Sequence, residues 1–289
     1  MESKQINLIA DVHYPTESRD LAGDRWSQWS SLPMIELSAI DTCQFFSAMI
    51  PHPGQRILEI GCGNGYLSLE LARNGHEVVG LDTSSEIIAM AERTRTAHPE
   101  VPLSGKLTYY CADINTWQAS EGSFDVVIIN RTLHHIHPLQ TVIAKVRDLL
   151  RQGGYFICQD YAYDRLNEQT ASWMYAMQRL LFLSNCSDED PATTNDDAHS
   201  IETLRTAWFQ RADQRLNRYE EMLQTLQTAF HQQFFSWFPY LFVYIGNGMR
   251  KTLSEEKERA LLTFLKNIEH HLIEIASIQA VGFRYVGVV

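Results

Sequence analysis

The feature that most constrains the fold is a glycine-rich turn that directly follows a short apolar stretch. Residues 56–60 predict a buried β-strand, and Gly61, Gly63 and Gly65 then occupy alternate positions. A second apolar stretch ends at Asp82. Glycine adopts positive φ and lets a ligand approach the backbone, while an acid at the end of the next strand can bind a ribose diol. The pattern predicts a nucleotide-type cofactor site.

The glycine spacing discriminates between cofactors. A dinucleotide turn reads G-x-G-x-x-G and places a pyrophosphate at a helix N-terminus. Here Gly65 stands two residues after Gly63, and an acid, Glu59, precedes the turn. This arrangement favours a cofactor without a pyrophosphate.

Further motifs follow in order along the chain. Ala112-Asp113 comes after a third apolar stretch, residues 124–130 predict a fourth strand, and residues 149–157 predict a helix end, a turn and a fifth strand. Together with residues 59–65 and Asp82, they resemble the motifs of class I S-adenosylmethionine-dependent methyltransferases over roughly residues 50 to 160. The resemblance implies an α/β, Rossmann-like fold with a seven-stranded, mostly parallel sheet and helices on both faces.

The first half of the chain alternates short apolar strands with helical patterns, which is typical of βαβ units. Helices are predicted from Met34 to Ile50, near 65–74, near 85–97 and at 139–150, with Gly153-Gly154 ending the last.

After Asp160 the strand pattern stops. Residues 165–228 predict helices interrupted at 184–191, and we interpret 163–230 as a helical cap inserted after the fifth strand. The aromatic run 234–245 predicts a sixth strand, 254–276 a connecting helix and 282–289 a seventh strand. The predicted organisation is therefore an arm and helix (1–50), a cofactor-binding core (51–162), the cap (163–230) and the strands that complete the core (231–289).

The resemblance implies a cofactor role for ten residues. Glu59 orders the loop or lies near the methionine amino group, Asp82 binds the ribose hydroxyls, and Asp113 pairs with the adenine amine. The full predicted set is Glu59, Gly61, Cys62, Gly63, Gly65, Asp82, Thr83, Asp113, Ile114 and Asn130. The alternatives are an ordinary strand-to-helix turn for the glycines, helix capping for Asp82 and a plain loop acid at Asp113.

The segment after the fourth strand is expected to border the reactive centre, because open α/β sheets bind ligands at the carboxyl ends of their strands. His134 is the candidate catalytic residue, since an imidazole with a pKa near ~6.5 suits proton removal. The alternative is a packed or solvated loop histidine, with methyl transfer that needs only positioning. Candidate substrate-binding residues are His135, Asp160, Tyr163 and Trp173.

The amino-acid composition restricts the kinds of binding partner that we expect. A net charge of −11 disfavours nucleic acid, whose binding depends on Lys and Arg. The five scattered cysteines form no metal-ligand spacing and predict no disulfide framework, so no metal is expected. No apolar stretch is long enough to span a bilayer, so we expect no membrane partner and a cytoplasmic location. A homodimer is compatible with these features.

The sequence therefore predicts an enzyme that transfers a methyl group from S-adenosylmethionine to an O or N atom of a small molecule, leaving S-adenosylhomocysteine. The candidate acceptors are a specialised metabolite and a modified peptide. Two alternatives are a methyltransferase for a protein side chain or N-terminus, and a cofactor-binding regulator without catalysis.

Overall fold

The computed structural model describes residues 27–97, 103–212 and 215–289. Most of the predicted arm lies outside these residues. The strands are β1 (Arg56–Ile60), β2 (Glu77–Asp82), β3 (Lys106–Cys111), β4 (Phe124–Asn130), β5 (Leu150–Tyr161), β6 (His231–Phe238) and β7 (Gly282–Val288). They form one seven-stranded sheet in the order β3-β2-β1-β4-β5-β7-β6. β7 runs antiparallel to the other six strands, which are parallel to one another, and this confirms the predicted mostly parallel, Rossmann-like arrangement.

Apart from α9, the helices lie in segments where the sequence predicts helices. The described helices are α1 (Leu32–Ile35), a π-helical turn (Glu36–Ile40), α2 (Asp41–Met49), α3 (Tyr66–Arg73), α4 (Ser85–Ala97), α5 (Leu139–Leu149), α6 (Glu168–Leu183), α7 (Asp197–Ala212), α8 (Tyr219–Ala229), α9 (Leu241–Gly246) and α10 (Glu255–Glu274). Two short 3-10 turns, Leu133–His135 and Tyr163–Arg165, follow β4 and β5.

Helices cover both faces of the sheet. On one face α2, α3 and α4 pack against the strands through buried residues such as Phe46, Leu67 and Ala91. On the other face α5 and α8 contribute Val146 and Met222 to a second apolar cluster. Burial of this apolar surface is the main stabilising contribution to such a layered fold.

A third apolar cluster lies beyond the ends of β5 and β6. It joins α6, α7, α9 and α10 around the fully buried Trp208 and Phe242. Phe238 at the end of β6 and Val281 before β7 belong to the same cluster, which places it at the carboxyl edge of the parallel strands. The predicted cap segment thus divides, because α6 and α7 join this cluster whereas α8 packs on α5.

The predicted sixth strand is wrong in its second half. β6 ends at Phe238, and the following residues form helix α9 rather than continuing the sheet. Pro239 has no N–H to donate to a β-ladder, and the buried carboxylate of Glu269 accepts the N–H groups of Tyr240, Leu241 and Phe242 at 2.7–2.8 Å. Caps of this kind satisfy the first N–H groups of a helix, so the chain turns into a helix at this point.

The prediction that Gly153-Gly154 end helix α5 is also wrong. The helix stops at Leu149, and both glycines lie inside β5. Gly153 has a φ of +73°, and the β4–β5 register shifts between Phe124 and Val126. The glycines therefore accommodate an irregular start of a strand, where they were expected to terminate a helix.

Candidate functional site

The glycine turn is tied directly to the second strand. The N–H groups of Gly61 and Cys62 both donate to the carbonyl of Leu81, at 2.8 and 2.9 Å. A Cβ atom on Gly61 would lie 2.3 Å from Thr132 Oγ1, whereas one on Gly63 would meet nothing within 4 Å. Gly61 is thus required for close packing, and Gly63 leaves backbone open to a ligand at a φ of +55°.

Asp82 lies beside this turn with two protein partners. Its Oδ2 accepts the N–H of Gly63 at 3.1 Å, and its Oδ1 accepts the N–H of Ser84 at 3.0 Å. Helix capping is the alternative role for Asp82. In the structure Ser84 caps the helix instead, since its Oγ accepts the N–H of Ile87 at 3.3 Å. Each carboxylate oxygen has two lone pairs, so Asp82 retains acceptor capacity for a ligand hydroxyl.

A cavity of about 260 Å³ opens at this edge of the sheet. Six of the predicted site residues line it: Gly61, Asp82, Thr83, Asp113, Ile114 and His135. The carboxylate of Asp113 accepts the backbone N–H of Asn115 at 2.8 Å through Oδ1, which leaves Oδ2 for another donor. The structure therefore brings the predicted ribose and adenine residues together around one cavity.

Glu59 is buried beneath the turn. Its carboxylate accepts a hydrogen bond from the hydroxyl of Ser68 on α3. Burial raises the pKa of Glu59 to about 8, although the Ser68 bonds lower it. The side chain is thus mostly protonated at neutral pH, and a positive charge brought close to it would favour its ionised form.

Asn130 ends β4 in a buried polar cluster. Its Nδ2 donates to the hydroxyl of Tyr66 at 3.1 Å, and its Oδ1 accepts from Nε2 of Gln159 at 3.4 Å. Asn130, like Glu59, Cys62, Gly63 and Gly65, does not line the 260 Å³ cavity. Glu59 pairs with β4 in the sheet, and Gly65 directly precedes α3.

His134 and Asp160 form a buried pair at the carboxyl ends of β4 and β5. Nδ1 of His134 lies 2.5 Å from Oδ1 of Asp160. Oδ2 of Asp160 also accepts the N–H of Leu133 at 2.6 Å, and Asp160 is fully buried. Such burial leaves Asp160 no surface for a direct substrate contact, and the residue orients the histidine turn instead.

Sequence reasoning missed Asn217, which holds the same turn from the opposite side. Its backbone N–H donates to the carbonyl of His134 at 2.8 Å. Its Nδ2 donates to the carbonyls of Leu133 and Ile136 at 3.0 and 2.8 Å. Asn217 lies 83 positions after His134 with no motif around it, so only the fold could reveal this contact.

Of the remaining predicted substrate residues, Tyr163 and Trp173 do not line the cofactor-side cavity, whereas the ring centre of His135 lies 4.0 Å from that of His134. Tyr163 donates its hydroxyl to the carbonyl of Leu216 at 3.0 Å and lines a separate cavity of about 590 Å³. Trp173 is half-buried on α6 against the third cluster. His135 borders the cofactor-side cavity, and partial burial, with a smaller contribution from the neighbouring His134, lowers its pKa to about 4. His135 is therefore neutral at pH 7.

Within residues 27–97, 103–212 and 215–289, no cluster of three or more His, Cys, Asp or Glu side chains is arranged to bind a metal ion. None of the helices in that part of the chain is both long and apolar enough to span a membrane.

Comparisons with known proteins agree with this geometry. A family model described as a methyltransferase domain matches residues 58–158. A ubiquinone biosynthesis O-methyltransferase of Coxiella burnetii is 26% identical over 198 residues, which cover 68% of this chain and 79% of that protein.

Solved structures share the fold. A geranyl diphosphate C-methyltransferase of Streptomyces coelicolor A3(2) matches with a TM-score of 0.55 and 13% identity over 95% of this chain and 85% of that one. An S-adenosylmethionine-dependent methyltransferase of Mesorhizobium loti matches with a TM-score of 0.51 and 16% identity over 93% of this chain and all of that one.

The residues present fit S-adenosylmethionine. Gly63 exposes backbone beside Asp82, Asp113 keeps an acceptor oxygen at the cavity, and the acid Glu59 lies under the turn. Together with the strand order, these features show that residues 58–158 form a methyltransferase domain, and the chain is similar to the class I S-adenosylmethionine-dependent methyltransferases.

Proposed function

We propose that this methyltransferase moves the methyl group of S-adenosylmethionine to a hydroxyl oxygen of a small molecule. The observation that carries the proposal is the buried His134–Asp160 pair beside the cofactor loop. A hydroxyl is a weak nucleophile until its proton is removed, and a paired histidine supplies a base for that step.

The geometry of the pair supports a base with a defined orientation. Asp160 Oδ1 lies against Nδ1 of His134, which favours the tautomer with its proton on Nδ1 and an acceptor lone pair on Nε2. As the acceptor oxygen attacks the methyl carbon, the carbon–sulfur bond breaks and the hydroxyl proton moves to Nε2. The carboxylate of Asp160 then stabilises the resulting imidazolium.

The cofactor residues take their roles from the cavity that they line. Asp82 accepts the ribose hydroxyls, and Asp113 accepts the adenine amine beside the ring surface of Ile114. Glu59 and Asn130 serve the methionine portion, on the side of the turn that faces β4. Both residues are buried, so a charged ligand group there would be shielded from water.

A small acceptor is supported by two observations. The relative from Coxiella burnetii is named for O-methylation in ubiquinone biosynthesis, a reaction on a small molecule. In addition, α6 and α7 join the apolar cluster at the carboxyl edge of the sheet, where they limit the space above the site. We extend this proposal to a specialised metabolite or a modified peptide, with Tyr163 and Trp173 as acceptor contacts.

The experiment uses S-adenosylmethionine labelled in its methyl group. The protein is incubated with it and with a cell extract divided by size, and label is measured in the small-molecule and protein fractions. The proposal predicts label in a small molecule, in a bond that resists mild hydrolysis as an ether does. Label in protein would establish the protein methyltransferase instead, and no label in either fraction would favour the regulator.

A substitution then tests the base. His134→Ala is expected to lower turnover at saturating substrates by about a hundredfold or more, the range of general-base catalysis. His231→Ala is the matched control, because it removes an exposed imidazole at the start of β6, outside the pair with Asp160 and outside the cofactor-side cavity. A loss below about threefold for His134→Ala, far under that range, would leave a mechanism by positioning alone.

A further inference from the structure

The guanidinium of Arg131 lies among neutral hydrogen-bond partners. The residue follows Asn130 at the end of β4 with a φ of +54°. Its Nη2 donates to the side-chain oxygen of Gln28, to Thr42 Oγ1 at 3.2 Å and to the hydroxyl of Tyr66 at 3.4 Å. Its Nε atom is buried and has no hydrogen-bond partner in the part of the chain that the structure describes.

The carboxylate of Asp41, which is bonded to Arg284, already has cationic partners. Asp41 pairs with Arg284 and, at 3.6 Å, with Lys266. Burial lowers the pKa of Arg284, and the charge of Arg131 adds to that lowering, which shows that two cations lie within electrostatic reach. Over residues 27–97, 103–212 and 215–289, Arg131 forms no ion pair with a carboxylate.

Arg131 lies between the glycine turn and the end of β5, where the acceptor is expected. Tyr66 is the first residue of α3, directly after Gly65 of the turn. On the other side the guanidinium carbon lies 5.9 Å from the ring centre of Tyr240. The Tyr240 ring in turn packs 4.3 Å from that of Tyr161, which neighbours Asp160.

We propose that Arg131 binds the carboxylate of a bound ligand. Arginine keeps its charge inside a protein, and a largely buried charge without an oppositely charged partner is costly. A carboxylate would supply that partner, and its two oxygens match the donors of a guanidinium. The carboxylate comes either from the methionine portion of S-adenosylmethionine or from the acceptor. The proposal rests on the cofactor assignment and is independent of His134.

The first arm of the test measures binding by calorimetry. S-adenosylmethionine and its decarboxylated analogue are titrated into the wild-type protein, Arg131→Gln and Arg165→Gln. Arg165 is the matched control because its guanidinium lies 4.5 Å from the ring of Trp237, outside this cluster. If the cofactor supplies the carboxylate, the wild type and the control prefer the intact cofactor by about tenfold or more. Arg131→Gln then binds both compounds alike.

The second arm tests the acceptor as the source. Benzoate and benzamide are titrated into each protein saturated with S-adenosylhomocysteine. If the acceptor supplies the carboxylate, benzoate binds the wild type and not Arg131→Gln. Benzamide, which has no carboxylate, then shows no preference between the two proteins. Arg131→Lys, which keeps the charge, should restore part of the lost affinity in either arm.

The proposal is overturned if Arg131→Gln changes the affinity for both cofactor compounds equally, or not at all, and benzoate binding does not depend on Arg131. Thermal melting of each variant, with and without S-adenosylhomocysteine, separates a folding defect from a binding defect. Because every readout is binding, failure here leaves the proposed methyl transfer to be judged by its own assay.

Discussion

At the scale of single residues, we expect Glu59 to link cofactor binding to protonation. Its pKa of about 8 in the folded protein lies above the ordinary value of 4.5 because the carboxyl group is buried. The folded protein therefore holds this proton more tightly than the unfolded chain does. The stability contributed by protonated Glu59 is complete below pH ~4.5 and is lost as pH rises through about 8.

Binding of S-adenosylmethionine at pH 7 is expected to release close to one proton from Glu59, since the cationic ligand favours the carboxylate. Calorimetric titration in two buffers with different ionisation enthalpies measures the number of protons released. Glu59→Gln is the control and should release none. Equal release from both proteins would mean that Glu59 does not sense the ligand charge.

Asp160 supports the histidine without touching the acceptor. Asp160→Asn keeps the shape but presents an amide to Nδ1 of His134, so the histidine is held in the wrong tautomer and its imidazolium loses a counter-charge. Turnover is expected to fall by about a hundredfold or more. The dissociation constant of S-adenosylhomocysteine should stay within about threefold, a difference below 1 kcal/mol. Paired measurements of kcat and Kd check this, and parallel losses in both would indicate general damage to the site.

At the scale of elements, the histidine turn is held between two layers of the molecule. β5 supplies Asp160 to its N–H groups, and the α7–α8 connection supplies Asn217 to its carbonyls. A turn fixed by both its donors and its acceptors has few alternative conformations, which preorganises the side chain of His134.

Asn217→Ala is therefore expected to loosen the histidine turn while the protein stays folded. Two side-chain hydrogen bonds are lost, and the loss of unfolding free energy is expected to be about 1–3 kcal/mol. Turnover should fall at least tenfold while the Kd for S-adenosylhomocysteine changes little. Asn267→Ala is the comparison, since it removes an exposed asparagine of α10 that does not line the cofactor-side cavity. Unchanged turnover in Asn217→Ala would make the contact purely structural.

The elements also show why sequence patterns sometimes mislead. The run 234–245 is aromatic throughout, so periodicity alone could not locate the change from β6 to α9. That change depends on Glu269, a residue from α10 that caps the new helix across the fold. A long-range cap of this kind leaves no local pattern to read.

At the scale of the whole molecule, local motifs predicted the sheet and the cofactor cavity because each motif lies at the end of one strand. Gly61, Asp82 and Asp113 are brought to one cavity by the parallel register alone. The partnership of Asp160 with His134, the role of Asn217 and the position of Arg131 depend on how separate elements pack. Those contacts join positions 26 and 83 residues apart, which no motif spacing encodes.

The central claim is that the turn after β1 and the acid after β2 form a site for S-adenosylmethionine. Calorimetric titration of the wild-type protein with S-adenosylhomocysteine and with NAD tests it most directly, with Asp82→Ala as the third sample. The account predicts one molar equivalent of S-adenosylhomocysteine bound, no binding of NAD, and an affinity weakened by ~1.5–3 kcal/mol in the variant. Comparable binding of NAD, or an unchanged dissociation constant in Asp82→Ala, would contradict it.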